Sequence, residues 1–227
     1  MFFTLVKLSF KISIPLISKF ENFIYTNDGA LTENECKNLI DNTNDNIEFI
    51  KKYQLSEFSP ANLHNKPQDE TDSIKTNKNK ILLRKDFFYF MSPALNTLKN
   101  LTMIMKAING GLSKYYEKYP AVSLIAPSGT YSPDIKYHIV KSGEGYHGWH
   151  SEWDYHPPND RRILVWHISL TNHEDEGELE FLYHNDRIPA KTGRLIIWPA
   201  FFPWLHRGNA IRTDTEKHYL TGWFYIL

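Results

Sequence analysis

The 227-residue chain has a single cysteine, Cys36. An intrachain disulfide is therefore impossible and a cysteine-ligated zinc site is disfavoured, and both points fit a reducing compartment. Excess charge is lacking too: 26 Lys and Arg balance 26 Asp and Glu, so nothing in the composition argues for nucleic acid as the main partner. No apolar run approaches the ~18 residues of a membrane span. Residues 1–17 are apolar but interrupted by Lys7 and Lys11, and they lack a small-residue cleavage site. They read as strands rather than as a targeting segment, and the expected location is cytoplasmic. There is no glycine-rich phosphate loop and no internal repeat.

Aromatics, by contrast, make up 15% of the chain, including six Trp and thirteen Tyr. That composition suits a folded protein with a lined cavity or interface. The length suits one domain with a substantial core. Residues 20–25 alternate and read as a strand. Thr32 and Glu35 make a capping box, opening a helix that turns Leu31, Cys36, Leu39 and Ile40 inward. Residues 59–80 hold almost no large apolar side chains and read as a loop, either a solvated insertion or a lid. From Pro93, Leu95, Leu98, Leu101, Met105, Ile108, Leu112 and Tyr115 recur at helical spacing, a core-facing stripe that Gly110 and Gly111 are expected to kink or split. After Pro120 the pattern changes to short strands at 135–140, 162–170, 178–182, 194–199 and 217–225 separated by turns. An antiparallel sandwich or jelly roll follows.

The chemistry concentrates in this second half. In Gly145-Tyr146-His147-Gly148-Trp149-His150-Ser151-Glu152, positions i and i+2 of an extended chain point the same way, so His150 and Glu152 present an imidazole and a carboxylate to one point. His206, in Trp204-Leu205-His206-Arg207-Gly208, is the best third ligand from a distant strand. Two His and one carboxylate leave three positions open and favour iron(II). Asp154 is the rival carboxylate. Further on, Lys217, Tyr219, Thr221 and Trp223 share one face of a strand. A lysine there is costly to bury unless an anionic ligand meets it.

Six segments in order resemble the prolyl-4-hydroxylase branch of the 2-oxoglutarate and iron(II) dioxygenases, especially short phage-type and marine microbial members. They are Gly-Tyr-His-Gly-Trp-His-Ser-Glu (145–152), Arg-Ile-Leu-Val-Trp (162–166), Glu-Gly-Glu-Leu-Glu-Phe (176–181), Gly-Arg-Leu-Ile-Ile-Trp-Pro-Ala (193–200), His-Arg-Gly (206–208) and Tyr-Leu-Thr-Gly-Trp-Phe (219–224). The resemblance implies an α+β fold: a double-stranded β-helix (jelly-roll) core over about 131–227 with supporting N-terminal helices over about 1–130, in a single domain 1–227. It implies Fe(II) on His150, Glu152 and His206, and 2-oxoglutarate as co-substrate with its C5 carboxylate on Lys217. Thr221 and Tyr146 or Tyr137 would add hydrogen bonds, and ascorbate would be a supporting reductant. It implies hydroxylation of a peptide, a protein or a small molecule, with peptidyl proline the first guess, and neither nucleic acid nor membrane as partner. Two positions depart from the family's pattern: Glu152 stands where Asp is usual, and Lys141 where a tyrosine is usual.

Other readings compete. A β-helix scaffold can bind a ligand or partner without chemistry, and a cupin-like enzyme can use Zn or Mn. His147 is expected to hydrogen-bond near the ligands rather than bind metal. Arg162 is either a structural partner of Glu152 or Asp154 or a substrate residue. Trp149, Trp153, Trp166 and Trp204 are expected to line the cavity. His156, His173 and His184 are expected on the surface, His138 and His167 inside strands, and His218 outside the cavity.

Overall fold

In a computed structural model, which describes residues 18–54, 70–75 and 80–227, the alternating stretch 20–25 is folded back on itself. It forms a hairpin of β1 (Ser18–Glu21) and β2 (Ile24–Asn27) rather than one strand. Asn22 and Phe23 have φ of 50° and 62°, the positive-φ pair whose twist suits a two-residue hairpin loop. Two distant donors pin this turn: Trp204 Nε1 to Asn22 O and Tyr115 Oη to Phe23 O, each 2.9 Å. Such tertiary anchors are invisible to an alternation pattern.

The expected capping box is present. Thr32 Oγ1 accepts from Glu35 N, and Glu35 Oε2 accepts from Thr32 N, opening α1 (Glu33–Asp45), which α2 (Ile47–Gln54) follows. Part of the stretch expected as a loop is instead a strand, β3 (Glu70–Lys75), paired antiparallel with β4 (Lys80–Phe90) at the edge of the large sheet. A polar strand is tolerated at an edge, where only one side must pair. The last residue of that stretch, Lys80, opens β4, while residues 59–69 and 76–79, and the strands expected in 1–17, lie outside the described residues.

α3 (Leu98–Lys118) starts not at Pro93 but at the N-cap Thr97, whose hydroxyl accepts from Asn100 N. Leu98, assigned to the core stripe, is 70% exposed, while Ile104 is buried in its place. The helix runs unbroken through Gly110 and Gly111 and ends before α4 (Val122–Ile125).

Nine further strands complete the expected jelly roll: β5 (Thr130–Tyr131), β6 (Lys136–Val140), β7 (Gly145–Tyr146), β8 (Arg162–Ser169), β9 (Leu179–Phe181), β10 (Asp186–Ile188), β11 (Leu195–Pro199), β12 (His206–Gly208) and β13 (Lys217–Ile226). The large sheet runs β1-β2-β11-β8-β13-β6-β4-β3, with β5 on β13 and β7 on β4. A small sheet runs β10-β9-β12. Side-chain alternation sorts each central strand into two faces. Leu164, Trp166, Ile168, Leu195, Ile197, Leu220, Phe224, Tyr137 and Ile139 belong to the core shared with the helices. Val165, Ile196, Trp198 and Trp223 pack with Phe181 and Ile188 of the small sheet. Between the sheets this second face opens into a cavity.

Candidate metal centre

The cavity has a volume of about 1400 Å³. His150 reaches it from an irregular segment rather than the regular strand expected, held by a single antiparallel bridge: His150 N donates to His206 O (3.1 Å) and His206 N to His150 O (2.9 Å). That pairing sets the two rings 4.4 Å apart. Two residues on, the backbone N–H groups of Glu152 and Trp153 both donate to Ala200 O at 3.0 Å, which turns the Glu152 side chain back toward the histidines. Glu152 Oε1 lies 3.4 Å from His150 Nε2 and 3.6 Å from His206 Nε2. The three ligand atoms lie within 4.8 Å of one another, and among the described residues no other trio of His, Cys, Asp or Glu does so.

The donor set fits a divalent ion. His150 Nδ1 donates to Gly148 O (2.9 Å) and His206 Nδ1 to Trp204 O (3.2 Å), so Nε2 is the atom each ring turns toward Glu152 and, in the neutral imidazole, the one whose lone pair is free for a metal. Burial, then neighbouring His150, lowers the His206 pKa, which favours the neutral form that a metal needs. Burial alone would raise the Glu152 carboxyl, but the His150 and His206 imidazoles hold it well below the usual range. Trp223 Nε1 donates to Glu152 Oε2 (2.9 Å), and an Arg162 nitrogen stands 3.7 Å from the same oxygen. Donors roughly 2.1 Å from one ion and at right angles would be separated by about 3 Å; the observed spacing is close to that.

The remaining site candidates divide by face. Tyr146 stacks on His150, centroids 3.6 Å apart, with the Arg84 guanidinium 4.6 Å from its own ring. Lys217, 5% exposed, donates from Nζ to Gly177 O at 2.5 Å, and burial pushes its pKa down to about 8. Thr221 lines the same cavity and bonds to His138. Tyr137 does not belong here. It faces the helical core, stacks on Tyr89 and bonds through its hydroxyl to His218 Nδ1. In the register of β6 on β13, His138 pairs with Tyr219, so it is His138 that shares the cavity face.

Asp154 sits at the cavity rim, its oxygens taken by His156 N and Asn159 Nδ2. His147 Nδ1 bonds to Gly208 O. Arg162 donates to Glu152 O and Tyr225 Oη and lies 3.9 Å over the Trp223 ring, which makes it a structural partner of Glu152. The cavity tryptophans are Trp198 and Trp223, not the four expected. Trp166 points into the opposite core and bonds to Ser132, Trp204 holds the first hairpin, Trp153 is 41% exposed, and Trp149 lies against Arg207. His173, expected on the surface, is buried beside Glu176 and Thr171, and His184 Nε2 is buried without a partner. Sequence reasoning also missed Asp86. Its signal was present: a carboxylate among Phe87, Phe88 and Phe90 on an alternating strand, a position that burial permits only with partners.

Residues 135–225 match the family model described as the 2OG-Fe(II) oxygenase superfamily. This stretch belongs to that superfamily. Among solved structures, a viral collagen prolyl hydroxylase from Paramecium Bursaria Chlorella virus-1, in complex with 2-oxoglutarate, aligns with TM-score 0.61 at 17% identity, covering 91% of this chain and 97% of that one. A Pseudomonas putida prolyl-4-hydroxylase aligns at 0.55 and 15%, covering 90% and 93%. A Trichoplax adhaerens prolyl hydroxylase, in complex with a hypoxia inducible factor oxygen degradation domain peptide, aligns at 0.53 and 13%, covering 90% and 84%. At these identities the likeness is one of fold. No curated protein matches the chain. Fe(II) and 2-oxoglutarate are the superfamily's metal and co-substrate, and residues 135–225 are a 2-oxoglutarate-dependent oxygenase region. Among the described residues no helix is long and apolar enough to cross a membrane.

Proposed function

We propose that the protein hydroxylates a peptide, with peptidyl proline as the substrate class, and that His150, Glu152 and His206 hold its Fe(II). The observation that carries this reading is the convergence of two imidazole Nε2 atoms and one carboxylate oxygen in the cavity that Lys217 also lines. In this reading the Lys217 ammonium pairs with the distal carboxylate of 2-oxoglutarate, while Trp223 and Arg162 hold Glu152 so that one oxygen faces the metal. When bound, iron and 2-oxoglutarate supply an oxidation in which O₂ and the co-substrate become succinate, CO₂ and the hydroxyl oxygen of a former C–H bond. Apolar Val165 and Trp198 on the cavity wall keep bulk water from the reacting centre.

The cavity exceeds the roughly 300–1,000 Å³ of ordinary small-molecule pockets, which leaves room for a peptide segment beside the co-substrate. The N-terminal part, about 1–130, is proposed to act as support for the 131–227 core within one domain. A reducing compartment is part of the proposal: Cys36 is the one cysteine, and burial raises its thiol pKa to about 12, so it stays an inert thiol.

The test is reconstitution with Fe(II), 2-oxoglutarate and ascorbate in air, with a panel of proline-containing peptides. Succinate formation coupled to gain of one oxygen atom by a peptide is the expected result. Protein that takes up no stoichiometric metal and forms no succinate would sink the reading.

A further inference from the structure

Asp86, His138 and Thr221 form a hydrogen-bonded chain that ends at the cavity. Asp86 Oδ2 lies 2.6 Å from His138 Nδ1, and His138 Nε2 lies 3.0 Å from Thr221 Oγ1. Asp86 and His138 are both buried, and Arg84 Nε donates to Asp86 Oδ1 at 2.7 Å. The His138 ring stacks almost parallel on Tyr219 of β13, centroids 4.4 Å apart, and His167 of β8 stacks on Tyr219 as well. The charged and titratable groups facing His138 are therefore Asp86 and Arg84 from β4, Lys136 from β6, Tyr219 from β13 and His167 from β8. Burial lowers its pKa to about 4 against the pull of Asp86, with Lys136 and Arg84 opposing the cation further.

Proton direction follows from the donor inventory. Burial opposes ionisation of Asp86, but the His138 contact and Arg84 keep it ionised. It can only accept, so His138 Nδ1 carries a proton. In the neutral imidazole Nε2 is then a lone pair, and Thr221 must give it the hydroxyl's only proton. Thr221 consequently shows the cavity lone pairs alone, which repel a carboxylate. Protonation of Nε2 reverses this bond: His138 donates, and the hydroxyl is free to donate into the cavity.

We propose that His138 is a positioning residue whose protonation sets the direction of the Thr221 hydroxyl, so that an anionic ligand settling beside Thr221 draws a proton onto His138. The proposal rests on the reading that 2-oxoglutarate occupies this cavity.

Calorimetric titration of 2-oxoglutarate into Mn(II)-loaded protein near about pH 6.5, repeated in buffers of different ionisation enthalpy, counts the protons taken up. Lys217, with its pKa of about 8, is already charged there and adds little. Uptake of roughly half a proton or more per site is expected in the wild type. His138→Gln and Asp86→Asn are expected to bind more weakly with almost no uptake. Thr221→Val, which keeps both buried partners, gives the same readout if those variants fail to fold. Binding without uptake in the wild type, or uptake that survives His138→Gln or Thr221→Val, overturns the proposal and leaves the 2-oxoglutarate reading standing. Absence of 2-oxoglutarate binding in the wild type overturns both.

Discussion

Trp223 Nε1 donates to Glu152 Oε2 at 2.9 Å, and that bond leaves Oε1 as the oxygen nearest both imidazoles. Glutamate has one more rotatable bond than aspartate, so an unrestrained side chain would spread over several rotamers. The indole and the backbone bonds to Ala200 select one of them. Trp223→Phe keeps an aromatic ring at a buried position while removing the donor and part of the indole's packing. It is expected to weaken Mn(II) binding about 10- to 100-fold, the usual cost of losing a group that orients a metal ligand. A metal titration with a thermal-unfolding control checks this; unchanged affinity would mean that Glu152 is oriented by something else.

Lys217 trades stability for binding. Its folded pKa of about 8 lies below the ordinary 10.5, so the protonated folded state is disfavoured, and stability of the ligand-free protein should rise as pH climbs from about 8 toward 10.5. The shift corresponds to at most about 3 kcal/mol, partly offset by the bond to Gly177 O, worth roughly 1 kcal/mol. Lys217→Met is therefore expected to raise the melting temperature of the ligand-free protein near neutral pH. The same variant should need roughly 10- to 100-fold more 2-oxoglutarate for half-saturation, as a charge-assisted bond is lost. In the wild type, 2-oxoglutarate affinity should fall as pH passes about 8 and the ammonium loses its proton. A variant that is less stable and binds normally would contradict this account.

The strands were legible because their alternation is strong and their ends carry turn residues. The face shared by Lys217, Tyr219, Thr221 and Trp223 could be read from period 2 alone. His150, Glu152 and His206 were legible from their order in the chain, although the first two stand on an irregular segment. What failed depended on register or on tertiary partners. Whether Tyr137 or His138 faces the cavity is decided by which of them opposes Tyr219 on β13, and the pairing puts His138 there. Trp149, Trp153 and Trp204 lie outside the regular strands, where no periodicity gives a direction. His173 looked solvated among Glu174, Asp175 and Glu176, yet Glu176 draws it inward through a bond to a distant segment at Thr213.

That Glu176 cluster contributes to acid stability. The carboxylate accepts from Thr213 Oγ1 (2.5 Å) and from Arg212 N (2.8 Å), and the Thr213 hydroxyl together with the Arg212 N–H lowers its pKa to about 2. A depressed carboxyl contributes stability that is fully present above the unfolded value and is lost as pH falls through the folded one. The stability difference between wild type and Glu176→Gln should therefore be largest above about pH 4.5 and shrink toward about pH 2. Denaturant midpoints across that range measure it. A difference that stays constant with pH would show that the glutamate's charge contributes nothing.

Adjacent glycines in α3 should respond to alanine with opposite sign. A Cβ on Gly110 would meet nothing within 4 Å, whereas one on Gly111 would lie 2.4 Å from Leu195 Cδ2 and 3.1 Å from Ile197 Cδ1. Helical backbone favours alanine over glycine by about 0.8–1.0 kcal/mol, and Gly110→Ala collects that gain with no clash. Gly111→Ala has the same intrinsic preference but drives a methyl into β11, where both leucine and isoleucine are fully buried. Overpacking of this kind costs typically 1–3 kcal/mol, enough to reverse the sign. The site consequence is separate from the stability one: Trp198, on the same strand as Leu195, lines the cavity, so a shift of β11 would also reach the His206 ring packed 5.0 Å from Trp198. Gly111→Ala is thus expected to lose both stability and metal affinity, and Gly110→Ala to gain stability with metal affinity unchanged. Urea midpoints and metal titrations on the two variants decide the matter, and equal effects from both would mean that α3 does not hold β11 in place.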